Sequence, residues 1–265
     1  MAKRRTIRIK NAREIDHMRV AGRTASAILQ EAIAAGKPGV TAREIGEEAR
    51  ALMKREGCKS AFLGYRGFPG FTCISVNEEV VHGIGGPRVV HPGDILKIDV
   101  GIVKNGWIGD NATTVPVGDV PDATKRLLAA TEQSLYEAID KARAGLRLAE
   151  LCGAVEEHVK PLGFSVVREF VGHGVGRKFH QEPSIPHYPT PESYRQRLLP
   201  GMTFTIEPMI NEGTRAGEVD KEDGWTVRTK DGKLSAQFEH TILMTEDGPE
   251  PMTLTKEGPQ RGHTF

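Results

Sequence analysis

The second half of this 265-residue chain repeats the first. A shift of 106 residues lays LQEAIAAGKPGVTAREIGEEARALMKREG, from Leu29, on LYEAIDKARAGLRLAELCGAVEEHVKPLG, from Leu135, without a gap. Glu31-Ala-Ile33 meets Glu137-Ala-Ile139, and Gly39, Glu44, Lys54 and Gly57 meet Gly145, Glu150, Lys160 and Gly163. Beyond this helical part the match continues with gaps. His82-Gly-Ile-Gly85 has a counterpart in His173-Gly-Val-Gly176, and Pro92-Gly-Asp-Ile-Leu-Lys-Ile-Asp99 in Pro200-Gly-Met-Thr-Phe-Thr-Ile-Glu207. The period is too long for a solenoid, whose repeats run to roughly 20–50 residues. The pattern predicts a duplicated α+β unit. Two similar halves, about 11–120 and 121–255, pack as one pseudo-symmetric domain over 11–265, so the repeated acids and histidines converge near a shared axis.

Local signals fill in each half. Asn11-Ala-Arg-Glu14 and Thr41-Ala-Arg-Glu44 have capping-box spacing. Apolar residues at helical spacing follow each: Ile15, Met18, Ala21, Ala25, Ile28 and Leu29, then Ile45, Ala49, Leu52 and Met53. These helices end near Gly36-Lys-Pro-Gly39 and near Gly57. Residues 122–144 and 148–160 are the second pair of helices. Thr72–Val76 reads as a strand, and 94–117 as a hairpin turning at Asn105-Gly106, the strongest short hairpin signal. Residues 164–255 are strand-rich, with a turn at Asp231-Gly232.

Charge and composition exclude several classes. Lys and Arg number 36 against 35 Asp and Glu, a net charge of +1, so no long-range field draws the chain to nucleic acid. No apolar run approaches the roughly 18 residues of a membrane span. Three cysteines are too few and too odd a number for a disulfide-built secreted fold. The start, MAKRRTIRIK, is basic but lacks the apolar segment of a secretory signal. The expectation is a soluble cytoplasmic protein, monomeric by default, that binds neither DNA nor membrane. Residues 1–10 would form a basic arm, either solvated or touching the ribosome.

The acids carry the chemistry. With a two-residue loop at Asn105-Gly106, Asp99 faces Ala112 and Asp110 faces Gly101. Asp99 and Asp110 then become diagonal neighbours on one face, with Cβ atoms within about 7–8 Å; a one-residue bulge would break this parity. Gly101 leaves space there for an ion. The alternative is a pair of solvent-facing aspartates on an edge hairpin. Against it, Asp99 interrupts the apolar run from Ile95 to Val103, a pattern of strands buried on both faces. Glu207 likewise interrupts Met202–Ile210, and Glu239 interrupts a buried strand over Ala236–Met244. Buried like charges need a compensating cation. Oxygen ligands with one imidazole suit divalent Mn, Fe, Co or Zn, and four carboxylates call for two ions. His173 lies between glycines that permit close approach of backbone and ligand. His82, its repeat partner, and His180 are candidate acid/base or oxyanion donors, or loop histidines without a chemical role. His17, His91, His158, His187, His240 and His263 are left as structural or surface residues.

Taken in order, the stretches Glu78-Glu-Val-Val-His82-Gly, Ile98-Asp99-Val, Gly109-Asp110, Gly172-His173-Gly-Val-Gly176, Phe204-Thr-Ile-Glu207-Pro and Gln237-Phe-Glu239-His-Thr resemble the type I methionine aminopeptidases along nearly the whole chain. The resemblance implies the "pita-bread" α+β fold, an antiparallel sheet core covered by helices, in a form without an N-terminal zinc-finger extension. It implies a dimetal aminopeptidase that removes the initiator methionine from nascent chains, with a water or hydroxide between the ions attacking the first peptide bond. Asp99 would chelate one metal, Asp110 and Glu239 would bridge both, and His173 and Glu207 would complete the other. Glu207 would also shuttle the proton. His180 would bond the scissile carbonyl, and His82 would contact the scissile amide. Tyr65, Phe68, Cys73, His82, Phe179 and Trp225 would line the methionine pocket, or else be ordinary core. Backbone carbonyls near Asn77 and the Ser235 hydroxyl would hold one monovalent cation. Phe62 stands where many relatives have a small residue or Cys, which would alter the pocket rim. Asn111 replaces a commoner Thr or Ser behind the ligands. Two alternatives stay open: a prolidase or aminopeptidase P-like enzyme acting on Xaa-Pro, and a metal-free binding module, which should have lost ligands.

Overall fold

In the computed structural model, residues 7–254, 256 and 258–265 are described. Four long helices come in two pairs: α1 (Ala12–Ala35) with α2 (Ala42–Arg55), and α3 (Asp122–Lys141) with α4 (Leu148–Val159). The capping boxes close as their spacing predicts. Asn11 and Thr41 side chains accept the N–H of Glu14 and Glu44, whose carboxylates bond back to the cap N–H groups. Each pair shields its own core. Met18, Leu29, Ile45 and Leu52 pack with Ile98 and Ile102 in the first half, and Leu135, Leu151 and Val155 with Phe204 and Ile242 in the second.

The first-half strands are β1 (Lys59–Ser60), β2 (Cys73–Val76), β3 (Glu79–Val81), β4 (Ile95–Lys104) and β5 (Trp107–Pro116). The second half holds β6 (Ser165–Val166), β7 (Gly172–Gly174), β8 (Gln181–Ile185), a short helix α5 (Pro191–Arg195), β9 (Thr203–Ile206), β10 (Met209–Asn211), β11 (Gly217–Val219), β12 (Val227–Thr229), β13 (Ser235–Gln237), β14 (His240–Met244) and β15 (Pro249–Pro251). One sheet runs β1-β4-β2 with β5 paired to β4, and another runs β15-β14-β9-β7-β8. Two three-stranded ladders, β13-β10-β6 and β11-β12-β3, link them, and the strand pairs are antiparallel.

The halves meet where β5 runs beside β13 and β14. Here side-chain hydroxyls replace part of a ladder. Thr114 Oγ1 donates to Gln237 O at 2.6 Å and accepts its N–H at 2.9 Å; Thr241 Oγ1 donates to Asp110 O at 2.7 Å. The Glu239 N–H bonds Ala112 O at 2.9 Å. The expected single strand over Ala236–Met244 is therefore two, broken at Phe238–Glu239, because Glu239 spends its N–H on β5. A second break falls at Glu207-Pro208, between β9 and β10, where proline has no N–H to offer. The apolar stretch from Phe164 yields only the two-residue β6.

The basic start is anchored at its end, while Arg8 and Ile9 are exposed. Lys10 is buried, its N–H on Gly201 O and its Nζ on Arg8 O, and Arg8 pairs with Glu14. Lys3, Arg4 and Arg5 lie outside the described residues. Among the described residues no helix is long and apolar enough to cross a membrane, and the three cysteines are free.

Candidate metal centre

Asn105 and Gly106 both take positive φ, 53° and 78°, as a two-residue turn that matches strand twist requires. The resulting register pairs Asp99 with Ala112 and Gly101 with Asp110 without a bulge, as the sequence predicts. Glu239 enters from the seam beside β5, and one oxygen each of Asp99, Asp110 and Glu239 lies within 4.8 Å of the others. His173, on β7, places Nε2 3.6 Å from Asp110 Oδ2 and 3.6 Å from Glu207 Oε1. Its Nδ1 is 3.1 Å from Gly174 O. With Nδ1 as the donor, the Nε2 lone pair faces the carboxylates, the tautomer a metal ligand needs.

Residues outside the predicted set fix this geometry. Thr205 Oγ1 accepts the His173 N–H at 3.0 Å and donates to Glu207 Oε1 at 2.7 Å. Gln237 Nε2 stands 3.5 Å from Glu207 Oε2, and the Glu207 N–H donates to Nε2 of the buried His187 at 3.1 Å. Thr205 and Gln237 sit inside two of the motifs quoted above, which was the available signal; nothing in the sequence singles out His187.

Burial raises the affinity of all four acids for protons. Asp110 and Glu239 are pushed well above the carboxylate range, with repulsion from neighbouring acids adding to the effect. Asp99 rises to about 7 and Glu207 to about 8. Among the described residues no lysine or arginine bonds any of them, and Asp99 Oδ1 is buried without a hydrogen-bond partner. Converging oxygens plus one neutral imidazole fit divalent cations.

These groups open onto one cavity of about 120 Å³, lined also by Tyr65, Phe68, Cys73, His82, Phe179, His180 and Trp225. The structure thus gathers the expected ligands, the two histidines and the pocket residues, puts Phe62 at the rim as expected, and adds Arg66; Asn77 and Ser235 lie elsewhere. The aromatics interlock edge to face: Phe62 on Phe179 and Tyr65 on Phe179 at 5.1 Å, and Phe68 on Trp225 at 5.2 Å. His180 stacks on Tyr65 with its ring 4.0 Å from that of His173. Burial, with nearby His173, Arg66 and His82, lowers its pKa to about 3; burial lowers His82 to about 4. Both imidazoles are neutral at pH 7. A larger surface hollow of about 620 Å³ near Tyr136 and Arg261 lies apart, and its Asp140 is already paired with Arg261.

Four expectations are corrected or refined. The space that Gly101 leaves is shared by the Asp110 carboxylate and the Phe62 ring: a Cβ there would meet Asp110 Oδ1 at 3.1 Å and the ring at 3.1 Å. Gly172 and Gly174 admit neighbouring strands rather than a ligand, since Cβ atoms would lie 2.5 Å from Thr205 O and 2.2 Å from Glu182 O. Asn111, the departure from Thr or Ser behind the ligands, is fully buried with both amide atoms unpartnered. Where carbonyls near Asn77 and the Ser235 hydroxyl were expected to hold a monovalent cation, Lys97 Nζ donates to Asn77 O at 3.0 Å and to Ser235 O at 2.6 Å, and the Ser235 hydroxyl makes no hydrogen bond.

Residues 16–246 match the family model described as Metallopeptidase family M24. The chain is 47% identical over 244 residues to methionine aminopeptidase 1 of Bacillus subtilis (strain 168), covering 92% of this chain and 98% of that one. A crystal structure of methionine aminopeptidase from Thermotoga maritima superposes with a TM-score of 0.91 at 43% identity, over 94% of this chain and 100% of the other. The prolidase from Pyrococcus horikoshii OT3 shares the fold alone, at a TM-score of 0.75 and 23% identity, over 95% of this chain and 65% of that one.

Proposed function

The chain belongs to metallopeptidase family M24, and from that premise we propose that it is a methionine aminopeptidase that removes the initiator methionine from nascent proteins. Its fold is the duplicated pita-bread α+β arrangement. One observation carries the proposal: a single cavity joins an oxygen-rich ligand cluster to an aromatic pocket suited to a thioether. Asp99, Asp110, His173, Glu207 and Glu239 would hold two divalent ions, with Asp110 and Glu239 serving both. Such ions acidify a water and polarise a carbonyl. Mn, Fe, Co and Zn all suit these ligands, and availability selects among them.

The chain's own groups do the rest. Tyr65, Phe68, Phe179 and Trp225, with Cys73 and His82, grip the methionine side chain; sulfur on aromatic edges is worth about 0.3–1.5 kcal/mol per contact. The free α-amino group lies on the Asp99 side, where Oδ1 has no protein partner. Only a chain end brings an amine there, hence exopeptidase action. His180, a neutral donor held against Tyr65, bonds the scissile carbonyl oxygen as charge develops on it. His82 contacts the scissile amide. Glu207, with Oε1 fixed by Thr205, takes a proton from the attacking water and returns it to the leaving amine. The enzyme works in the cytoplasm as a monomer, on chains leaving the ribosome.

Release of methionine from Met-Ala-Ser by the protein with added divalent metal, with little action on Ala-Pro, is the expected result. Preference for Ala-Pro would make it a prolidase-like enzyme. A protein that neither retains divalent metal nor is activated by it would be a binding module.

A further inference from the structure

Lys97 stands on β4 two residues before Asp99 and is 2% exposed. The two carbonyls it bonds come from different halves of the molecule. Asn77 occupies the β2–β3 turn in left-handed conformation (φ 54°), and Ser235 opens β13. Asn77 is itself held firmly: its N–H bonds Ile95 O at 3.0 Å, its Oδ1 accepts the Ile95 N–H at 2.9 Å, and its Nδ2 donates to Asp94 at 2.8 Å. The Ser235 N–H also bonds Asn77 O at 3.2 Å. Ser235 Oγ is fully buried and makes no hydrogen bond, so the Lys97 tether runs through the two carbonyls. The nearby carboxylates of Glu78 and Glu79 are bonded to Arg88 and Arg228, so Lys97 is left to the carbonyls. Fixing Ser235 fixes the strand that delivers Gln237 and then Glu239 to the cavity.

We infer that Lys97 is a positioning residue whose ε-amino group takes, covalently attached, the place of a monovalent cation between the halves, so that this chain sets its second-half ligands without sodium or potassium. Converging buried carbonyls need a donor or a cation. A free ion would be bound only in proportion to its concentration, whereas the side chain is always present. Two N–H groups make the two bonds in either protonation state, so the tether does not depend on the charge of Lys97. The turnover arm of the test rests on the aminopeptidase activity proposed above; the unfolding arm does not.

The test follows thermal unfolding of the metal-free protein and, separately, Met-Ala-Ser turnover with saturating manganese. Each is run in choline, sodium, potassium and ammonium chlorides at matched ionic strength. The wild type should give the same Tm and the same kcat/KM in all four. Lys97→Ala should lose about 5–10 °C in choline and about tenfold or more in kcat/KM, with at least half of each loss restored by sodium, potassium or ammonium. Lys97→Met, which fills the space and donates nothing, should lose as much and recover nothing. A saturable rise in wild-type Tm or turnover with sodium or potassium overturns the inference. So does an alanine variant that keeps the wild-type Tm in choline, or one whose loss no ion restores. Should neither variant fold, the wild-type comparison decides alone. If the unfolding pattern holds while no methionine peptide is cleaved, the tether stands and the proposed activity falls.

Discussion

The imidazole of His173 and the carboxylate of Glu207 are fastened by a single hydroxyl, since Thr205 Oγ1 accepts from one residue's backbone and donates to the other's Oε1. Two proposed ligands, His173 on β7 and Glu207 just past the end of β9, are thereby set at 3.6 Å from each other. Thr205→Val keeps the shape and removes both bonds. Supporting hydrogen bonds of this kind are worth about 10–100-fold in metal affinity. The manganese concentration giving half-maximal activity, read in metal-buffered solution, should rise by that factor, while kcat at saturating metal changes by a few-fold at most. An unchanged midpoint would show that the hydroxyl does not orient the ligands.

Asp110→Asn and Glu239→Gln should act in opposite directions on two measurements. Each removes a proposed bridging oxygen ligand, so turnover with added metal should fall by about a thousandfold or more. Each also removes one of several like charges packed without a cationic partner, where burial and mutual repulsion already oppose ionisation. The metal-free variants should therefore melt a few degrees above the metal-free wild type at neutral pH. Scanning fluorimetry in chelator checks this. A lower Tm would mean that the carboxylates are stabilised in the apoprotein by something other than metal.

How much of this was legible in the sequence depended on how local each signal is. Asn105-Gly106 specifies its turn and, through the period of two, the register that brings Asp99 and Asp110 together. The capping boxes at Asn11 and Thr41 are equally local. Glu239 was legible as a ligand but not as the site of a strand break, because the break arises from its bond to Ala112, far away in sequence. Lys97 was invisible for a similar reason. One lysine in a strand reads as an outward-facing residue, and only the packing of two halves turns it inward onto Asn77 and Ser235. The glycines beside His173 look in the sequence like room for a ligand, whereas in the fold they admit the neighbouring strands.

The metal-free protein should lose stability as pH rises from about 6.5 to 8. Asp99, Asp110, Glu207, Glu239 and also Glu132, raised by burial to about 8, hold protons in the folded state that the unfolded chain has released. The folded state thus binds more protons between the ordinary carboxylate value and the raised one, and stability falls through that window. Buried Lys97 and Lys10, lowered to about 7 and about 8, act the other way but are fewer. Below the ordinary histidine value the sign mixes, because His82, His173, His180, His187 and His240 resist the protonation that unfolding allows. Saturating manganese should flatten or reverse the slope, since ligation requires the deprotonated acids. A metal-free Tm that rises from pH 6.5 to 8 contradicts the burial of these carboxyls.

Gly101→Ala isolates the contact between the hairpin and the pocket. A Cβ at this position would press on Asp110 Oδ1 and on the Phe62 ring, both at 3.1 Å and tighter than ordinary van der Waals contact. The ring is hemmed in, edge to face against Phe68 at 6.1 Å and Phe179 at 5.1 Å, so it can yield only towards the cavity. The cavity is small, about 120 Å³, and lost space there falls on the methionine side chain. The expected result is a rise in KM for Met-Ala-Ser of about tenfold, together with weaker manganese binding from the displaced Asp110 carboxylate. Adding Phe62→Leu should recover KM, because the smaller side chain frees the space, but should leave the metal defect, because the contact with Asp110 persists. The two effects separate in a double-mutant cycle on KM and on the manganese midpoint. Recovery of both together would place the whole strain in the ring, and recovery of neither would mean that the backbone of β4 had shifted instead.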